Sequence, residues 1–176
     1  MIPPLLIRSD RLVLRPTTGA DVQRFHALVT KAEVARMLFL FHPGWTLEEA
    51  GAFLADWAWN GGLRFRLSIE EAGEWRGWIG VSDGDEPEIF YALTPDAAGR
   101  GLAREALAAF TAFLFDRFPV PALSAGAFFD NPASIRVLQA CGFVETHVED
   151  HASRGRPAPA RCHIFRLARP ADRPLA

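Results

Sequence analysis

The segment Ala98-Gly99-Arg100-Gly101-Leu102-Ala103 decides how the rest of the chain is organised around it. It lies between residues 88–93, which are typical of a strand, and residues 102–115, whose alanine, leucine and phenylalanine content predicts a long, largely buried helix. Glycines let the backbone turn tightly and let a ligand come close. The first amides of a helix are free and lie at the positive end of its dipole, where they can hold phosphate oxygens. The segment therefore predicts a phosphate cradle, although glycines at a helix start also fit a simple turn.

Length and composition predict one globular domain. The chain has 176 residues, of which 49% are hydrophobic and 23% are charged. We expect a single domain over residues 1–176, with its core at about 9–168 and a tail at about 170–176. No apolar run approaches the roughly 20 residues that span a bilayer, and the start of the chain lacks the features of a secretory signal. Together with two cysteines, Cys141 and Cys162, which are expected to be free thiols, this favours a cytoplasmic protein without a membrane partner.

Two classes of ligand are disfavoured. A dinucleotide-binding fingerprint would need another glycine pattern, an earlier position in the fold and an acidic ribose partner about 20 residues further on. A nucleic-acid partner would need a basic field, whereas the formal net charge is -2 and the pI is near 6.2. Acidic residues collect in one segment, where they would attract a cationic amine or simply form a solvated loop. They are Asp83, Asp85, Glu86 and Glu88.

Periodicity predicts a mixture of strands and helices along the chain. The predicted strands are residues 12–15, 63–69, 75–82, 88–93, 123–128, 143–149 and 162–167, the second and third of them joined in a hairpin. The predicted helices are residues 20–29, 46 to about 60, 102–115 and 133–140. Thr46 and Glu49 have the spacing of a capping box at the start of the second helix. Asn131 and Pro132 fit the N-cap and the first position of the last one.

Several motifs occur in the same order as in a known family. Residues 88–93 (EIFYAL) precede the glycine segment, residues 131–143 (NPASIRVLQACGF) follow it, and residues 9–16 (SDRLVLRP) stand near the start of the chain. With these motifs the sequence resembles the GNAT superfamily of N-acetyltransferases, in its branch similar to ribosomal-protein N-terminal (Rim-type) acetyltransferases. The likeness extends to about residue 167. It implies an α/β (α+β) fold with a mixed, mostly antiparallel central sheet of about six to seven strands, flanked by about four helices.

The resemblance implies acetyl-CoA as the cofactor and gives residues of this chain roles in binding it. The glycine segment would hold the pyrophosphate, the strand before it would pair with pantetheine, and Asn131 and Ser134 would face the thioester. The predicted cofactor-binding residues are Tyr91, Ala92, Leu93, Gly99, Arg100, Gly101, Leu102, Ala103, Arg104, Asn131 and Ser134.

The glycine segment departs from the family pattern at its start. The family often has glutamine, arginine or an aromatic residue where this chain has Ala97 and Ala98, which puts in doubt a side-chain contact but not a cradle of backbone amides. Four arginines are expected around the cofactor site, where they fit the phosphates of coenzyme A. They are Arg100, Arg104, Arg117 and Arg136.

Acetyl transfer to an amine needs a proton acceptor and a proton donor. A lysine-like amine has a pKa of about 10 and an α-amine one near 8, so both are mostly protonated at neutral pH. Glu88, which begins the strand beside the thioester, could accept the proton through a water or could be a surface residue of an edge strand. Ser134 could protonate the departing thiolate or be only a local helix cap. Tyr91 is the second candidate donor, and a free backbone N–H of residues 90–93 is the candidate for stabilising the oxyanion.

The acceptor is expected to be a primary amine, on a peptide or protein N-terminus or on a small molecule, that attacks directly in a ternary complex. The resemblance places an acceptor groove near the second helix, whose flanking aromatic residues should mostly be core. They are Phe39, Phe41, Trp45, Trp57 and Trp59. We expect a monomer or a homodimer. The alternative is a non-catalytic sensor that only binds acyl-CoA, although the presence of Glu88 and Ser134 favours catalysis.

A metal site is not expected. Three histidines and a cysteine near the end of the chain could suggest one, but their spacing matches no zinc site and alternation along strands explains them better. They are His147, His151, Cys162 and His163.

Overall fold

The computed structural model describes residues 4–173, so the last three residues of the predicted tail lie outside the described residues. The strands are β1 (Ile7–Arg8), β2 (Leu12–Pro16), β3 (Phe65–Glu71), β4 (Glu74–Val81), β5 (Ile89–Leu93), β6 (Ala122–Phe128), β7 (Val144–His151) and β8 (Ala160–Ala168). The helices are α1 (Val22–Val29), α2 (Ala32–Ala35), α3 (Leu47–Asp56), α4 (Leu102–Arg117) and α5 (Pro132–Ala140). Short 3-10 turns, Gly19–Asp21 and Pro95–Ala97, precede α1 and α4.

The strands form two antiparallel sheets that meet at one point. The first has the order β1-β2-β3-β4-β5 and the second the order β6-β8-β7. A single parallel bridge between Glu88 and Ser124 links them, supported by the Ser124 N–H, which donates to the Pro87 carbonyl at 2.9 Å. Beyond this bridge β5 and β6 diverge, so a gap opens between the two sheets.

Alternation along β3 and β4 gives the first sheet two buried faces. Phe65, Leu67 and Ile69 point to one face, where they pack with the apolar side of α4 in the larger core cluster. Trp78 points to the other face and joins a second cluster with α1 and α3. The sheet is therefore covered on both sides.

The predicted fold class is confirmed, with eight strands rather than six or seven and five α-helices rather than four among the described residues. The additional elements are short: β1 has two residues and α2 has four, too few for periodicity to reveal. The hairpin between β3 and β4 turns at Ala72 and Gly73, whose φ angles of 51° and 81° fit a tight two-residue turn.

The capping box at Thr46 is confirmed, because its side chain accepts the N–H of Glu49 and Glu49 bonds back to the Thr46 N–H. The predicted end of this helix near residue 60 is wrong. The helix ends at Asp56, and the Trp57 carbonyl accepts the N–H of Arg66 at 2.9 Å as the chain turns back into β3. The helix thus ends before the glycines that the sequence offered as its stop.

The structure also shows the state of the two cysteines and the character of the helices. Both Cys141 and Cys162 are free thiols, as predicted. Among the residues that the structure describes, none of the helices combines the length and apolar character needed to cross a membrane.

Candidate active site

The gap between β5 and β6 forms a cleft of about 750 Å³. The predicted site residues come from β5, the loop before α4, and the first turns of α4 and α5. All of them line this cleft except Arg100. The fold therefore brings together side chains that lie up to 46 residues apart in the sequence, from Glu88 to Ser134.

Strand β5 presents free backbone groups to the cleft. The Ser82 N–H donates to the Glu88 carbonyl and the Thr94 N–H to the Arg76 carbonyl, so even-numbered residues of β5 bond to β4. The N–H and C=O groups of Tyr91 and Leu93 consequently point away from β4, toward the gap. They form no hydrogen bond to β4 and are available to a ligand.

The loop before α4 has the geometry of an anion cradle. Gly99 and Gly101 have left-handed φ angles of 72° and 79°, and Gly101 is the N-cap of the helix. The N–H groups of Leu102, Ala103 and Arg104 have no acceptor within residues 4–173. These amides, at the positive end of a 16-residue helix, fit the phosphates of acetyl-CoA.

Arg11 anchors this loop, a role that sequence reasoning missed. Its guanidinium donates to the Arg100 carbonyl at 3.0 Å and to the Glu105 carboxylate at 2.7 Å. The same carboxylate accepts the Ser9 hydroxyl and the Arg11 N–H, each at 2.7 Å. The only sequence signal is the motif at residues 9–16, which carried the resemblance without a role for its arginine.

Two of the four arginines expected around the cofactor do not line the cleft. The Arg100 side chain turns out of the cleft and bonds the Glu71 carboxylate at 2.7 Å. Arg117 lies in the last turn of α4, about 24 Å along the helix from the cradle, over the ring of Phe118. Arg104 and Arg136 do line the cleft.

Tyr91 and Ser134 face each other from β5 and α5, with Oη and Oγ 2.9 Å apart. The cap of α5 is Asn131, whose side-chain oxygen accepts the Ser134 N–H at 3.2 Å, so the Ser134 hydroxyl is not used as a cap. Burial raises the pKa of Tyr91 to about 12, and this phenol therefore stays protonated at neutral pH.

Glu88 is the one member of the acidic segment that lines the cleft. It lies just before β5, whose first residue is Ile89, rather than beginning the strand. Its carboxylate has no hydrogen-bond or ion-pair partner in the described part of the chain, and burial raises its pKa while His151 lowers it. Glu86 instead pairs with Arg166 at 2.8 Å. Asp83 and Asp85 are exposed and form the solvated loop that the sequence allowed.

Three of the five aromatic residues near α3 line the cleft: Phe39, Phe41 and Trp57. Trp45 packs edge-on against Phe41 in the second core cluster, and Trp59 packs against Phe65 in the larger one. Beside them lies Arg66, a buried residue that sequence reasoning also missed. Its position in an alternating strand is typical of a solvent-facing residue.

The histidines at the end of the chain form pairs rather than a metal site. His163 contacts Glu145 at 2.9 Å, and His147 contacts Glu149 at 3.3 Å. Among the described residues there is no group of three or more side chains that could hold a metal ion.

Comparisons with known proteins agree with this geometry. Residues 11–144 match the family model described as an acetyltransferase (GNAT) domain. The curated N-acetyltransferase YoaA of Bacillus subtilis (strain 168) is 25% identical over 175 residues, covering 95% of this chain and 98% of that protein.

Solved structures share the fold. RimL, a ribosomal L7/L12 alpha-N-protein acetyltransferase in complex with coenzyme A, superposes with a TM-score of 0.78 and 18% identity, over 93% of this chain and 98% of that one. The spermidine N-acetyltransferase from Vibrio cholerae, in complex with CoA and spermine, has a TM-score of 0.76 and 18% identity, over 92% and 97% of the two chains.

Proposed function

The chain belongs to the GNAT acetyltransferase family and uses acetyl-CoA, and from this premise we propose that it acetylates a primary amine that enters the cleft beside Glu88. The observation that carries the proposal is the unpartnered Glu88 carboxylate in the same cleft as the amide cradle and the Tyr91–Ser134 pair. When bound, acetyl-CoA supplies an acetyl thioester that an amine can attack. The amine gains the acetyl group by direct attack in a ternary complex.

The cofactor would be held by backbone groups on two sides of the cleft. The amides of residues 102–104 would bind the pyrophosphate, because they lack acceptors and Gly99 and Gly101 have no side chains to keep phosphate away. The free edge of β5 at Tyr91 and Leu93 would pair with the pantetheine amides. Asn131 would contribute as the cap that fixes the first turn of α5 and thus the position of Ser134.

Glu88 would accept the proton that the attacking amine must lose. Its raised pKa makes it a better base than an exposed glutamate, because a carboxylate of higher pKa holds the proton more readily. The carboxylate is not neutralised by an arginine, unlike that of Glu86, so its charge remains available to an ammonium group. A bridging water would carry the proton if the amine stops short of contact.

The Tyr91–Ser134 pair would donate a proton to the leaving sulfur. Either hydroxyl can donate in this pair. In the proposed relay Tyr91, protonated at neutral pH, would donate to Ser134 Oγ, which would leave the Ser134 proton free to point into the cleft. Ser134 Oγ would give its proton to the departing thiolate and take one from Tyr91 Oη, so that the two hydroxyls act as a relay. The Tyr91 phenolate left by this transfer would regain its proton from solvent water before the next turnover. This joins the two donors that the sequence offered as alternatives.

The proposal is tested by incubating the protein with acetyl-CoA and a panel of peptides, polyamines, aminoglycosides and amino acids, with product masses measured by mass spectrometry. We expect one class of amine to gain an acetyl group at a rate that depends on enzyme concentration. Samples without enzyme are the control for spontaneous acetylation. If acetyl-CoA binds but no amine in the panel is acetylated faster than in the control, the proposed activity is contradicted.

A further inference from the structure

The Arg66 side chain lies across one face of the first sheet, over β4, and lines the cleft. Arg66 pairs with Gly80 of β4, which pairs with Phe90 of β5. A Cβ atom at Gly80 would lie 2.8 Å from Arg66 Cγ and 2.7 Å from Phe90 Cε2, so the arginine stem occupies the space that the glycine leaves open. Gly80 is therefore required for this path of the side chain.

Aromatic rings enclose the guanidinium. Its Cζ atom lies 4.2 Å from the ring centre of Trp78, 4.3 Å from that of Phe90, 4.7 Å from those of Phe53 and Trp57, and 5.7 Å from that of Phe41. The residue is 1% exposed. The rings stabilise a cation through their faces but accept no ordinary hydrogen bond in the plane of the guanidinium.

Two guanidinium nitrogens of Arg66 have no hydrogen-bond partner among residues 4–173. Nε and Nη1 are buried without a hydrogen bond, and so is Nε1 of Trp78 beside them. The other deeply placed arginine, Arg156, has a side chain 8% exposed and contacts the Asp130 carboxylate at 2.6 Å. No carboxylate contacts Arg66 within residues 4–173, although an unpaired buried charge is costly.

We propose that Arg66 is the anion subsite of the acceptor pocket, and that it binds the carboxylate of a small amine with an apolar or aromatic body. This inference rests on the proposed function, since it identifies the acceptor of that reaction. A guanidinium forms charge-assisted hydrogen bonds with a carboxylate, and the partner supplies the charge that the fold omits.

The positions of the lining residues define the shape of this acceptor. Arg66, Glu88 and Phe90 share one face of the first sheet, because Glu88 and Phe90 alternate with Tyr91 and Phe90 stands in register with Gly80. The ammonium group lies at Glu88, the carboxylate at Arg66, and the apolar body against Phe90 and Trp57. A polyamine is a poor fit, since a second ammonium group would meet the guanidinium.

The test compares amines that differ only in the carboxylate. The probes are three matched pairs: 4-(aminomethyl)benzoate and its benzamide, 5-aminopentanoate and its amide, and phenylalanine and its amide. Dissociation constants are measured by tryptophan fluorescence, because Trp57 and Trp78 flank the guanidinium. We expect at least one carboxylate to bind tenfold or more tightly than its amide.

Two variants assign the preference to Arg66. Arg66→Met should abolish the carboxylate preference and melt no lower than the wild type, since it removes an unpaired buried charge and keeps an apolar side chain of similar length. Arg64→Met is the matched control, because Arg64 lies over the same Trp57 ring but pairs with Asp56 and is partly exposed. It should keep the full preference.

Two results would overturn the inference: no pair shows a carboxylate preference in the wild type, or Arg66→Met retains it. The wild-type comparison remains decisive even if Arg66→Met does not fold. Acetylation measured on the same samples separates this inference from the proposed function. If the wild type shows no carboxylate preference and acetylates acids and amides equally, the anion subsite alone is overturned. Tight binding of carboxylates without their acetylation supports the subsite and contradicts the reaction.

Discussion

The proposed proton relay depends on a single hydrogen bond between Tyr91 and Ser134. Neither residue is adjacent to the other in sequence, and β5 and α5 bring their oxygens to 2.9 Å. A hydroxyl pair of this kind can pass one proton to a leaving group, and such proton transfer contributes about 10²–10⁴-fold to rates. In the proposed relay Ser134 gives its proton directly to the leaving sulfur, and Tyr91 acts through Ser134.

We predict that Ser134→Ala lowers kcat by about 100-fold and that Tyr91→Phe lowers it by about tenfold, because the serine can still draw a proton from water when the phenol is lost. Acetyl-CoA affinity, measured by calorimetry, should change by less than about threefold in both. Val137→Ala, on the same helix, is the control for altered packing near the cleft. Equal losses of affinity with no loss in kcat would return Ser134 to a structural role.

We predict that Glu88→Gln lowers turnover most at low pH. Below the pKa of the amine most acceptor molecules carry a proton that a base must remove, whereas above it the free amine dominates and partly rescues the variant. The measurement is a pH–rate profile, with Asp85→Asn in the exposed loop as the control. A Glu88→Gln profile that coincides with that of the wild type would show that Glu88 is not the base.

Stability gives a second prediction for Glu88. Because burial raises its folded-state pKa above the usual 4.5, the folded protein holds this proton more tightly than the unfolded chain does. As pH rises through the folded-state pKa, Glu88 ionises and the free energy of unfolding falls. Well below pH 4.5 the carboxyl is protonated in both states, and Glu88 then causes no loss of stability. Thermal melting should show Glu88→Gln to be more stable than the wild type at pH 7 but not at pH 3.5. A variant that melts lower at pH 7 would contradict a carboxylate held without a partner.

Single residues also show where sequence reasoning reaches its limit. Glu88 and Ser134 could be proposed as proton acceptor and proton donor from the sequence, because their residue types and the neighbouring motifs are visible in it. The environment of Arg66 could not be predicted from the sequence, because its aromatic neighbours come from α3, β4 and β5. Only tertiary packing brings these rings together around one guanidinium. The direction of the Arg100 side chain could not be predicted either, because its partner Glu71 lies on β3, far away in the sequence.

At the scale of elements, the start of α4 is the feature most directly encoded by the sequence. The start of the helix at Leu102 and its largely buried character follow from local composition and were predicted, and the structure gives Gly101 as its N-cap. The opposite case is α3, which ends at Asp56, before the local stop signal, and is followed by a Trp57 carbonyl that accepts the Arg66 N–H. Local signals thus fixed where helices begin better than where they end.

We predict that Gly101→Val weakens acetyl-CoA binding at least tenfold, because a branched side chain strains the left-handed backbone and crowds the cradle. Gly73→Val is the matched control, since Gly73 has nearly the same φ angle, 81°, and lies in the hairpin between β3 and β4. Both variants should lose about 1–2 kcal/mol of stability, and calorimetry should detect weaker binding only for Gly101→Val. Unchanged affinity in Gly101→Val would contradict the cradle.

At the scale of the whole molecule, the separation of the two sheets creates the site. The bridge between Glu88 and Ser124 holds them together at one point, and the cleft opens directly beyond it. Among residues 4–173, the positions of seven of the eight strands were predicted from local patterns, but their order in the two sheets and the divergence of β5 and β6 are long-range properties of pairing that no segment contains. The candidate base lies at the bridge itself, so the same feature shapes the cleft and places the carboxylate.

The most direct test of the central claim is a crystal structure of the protein with acetyl-CoA. We expect pyrophosphate oxygens about 3 Å from the amide nitrogens of Leu102, Ala103 and Arg104. We expect the thioester to lie in the cleft between Glu88 and Ser134. Acetyl-CoA bound outside the cleft, or with its pyrophosphate away from the first turn of α4, would contradict this claim.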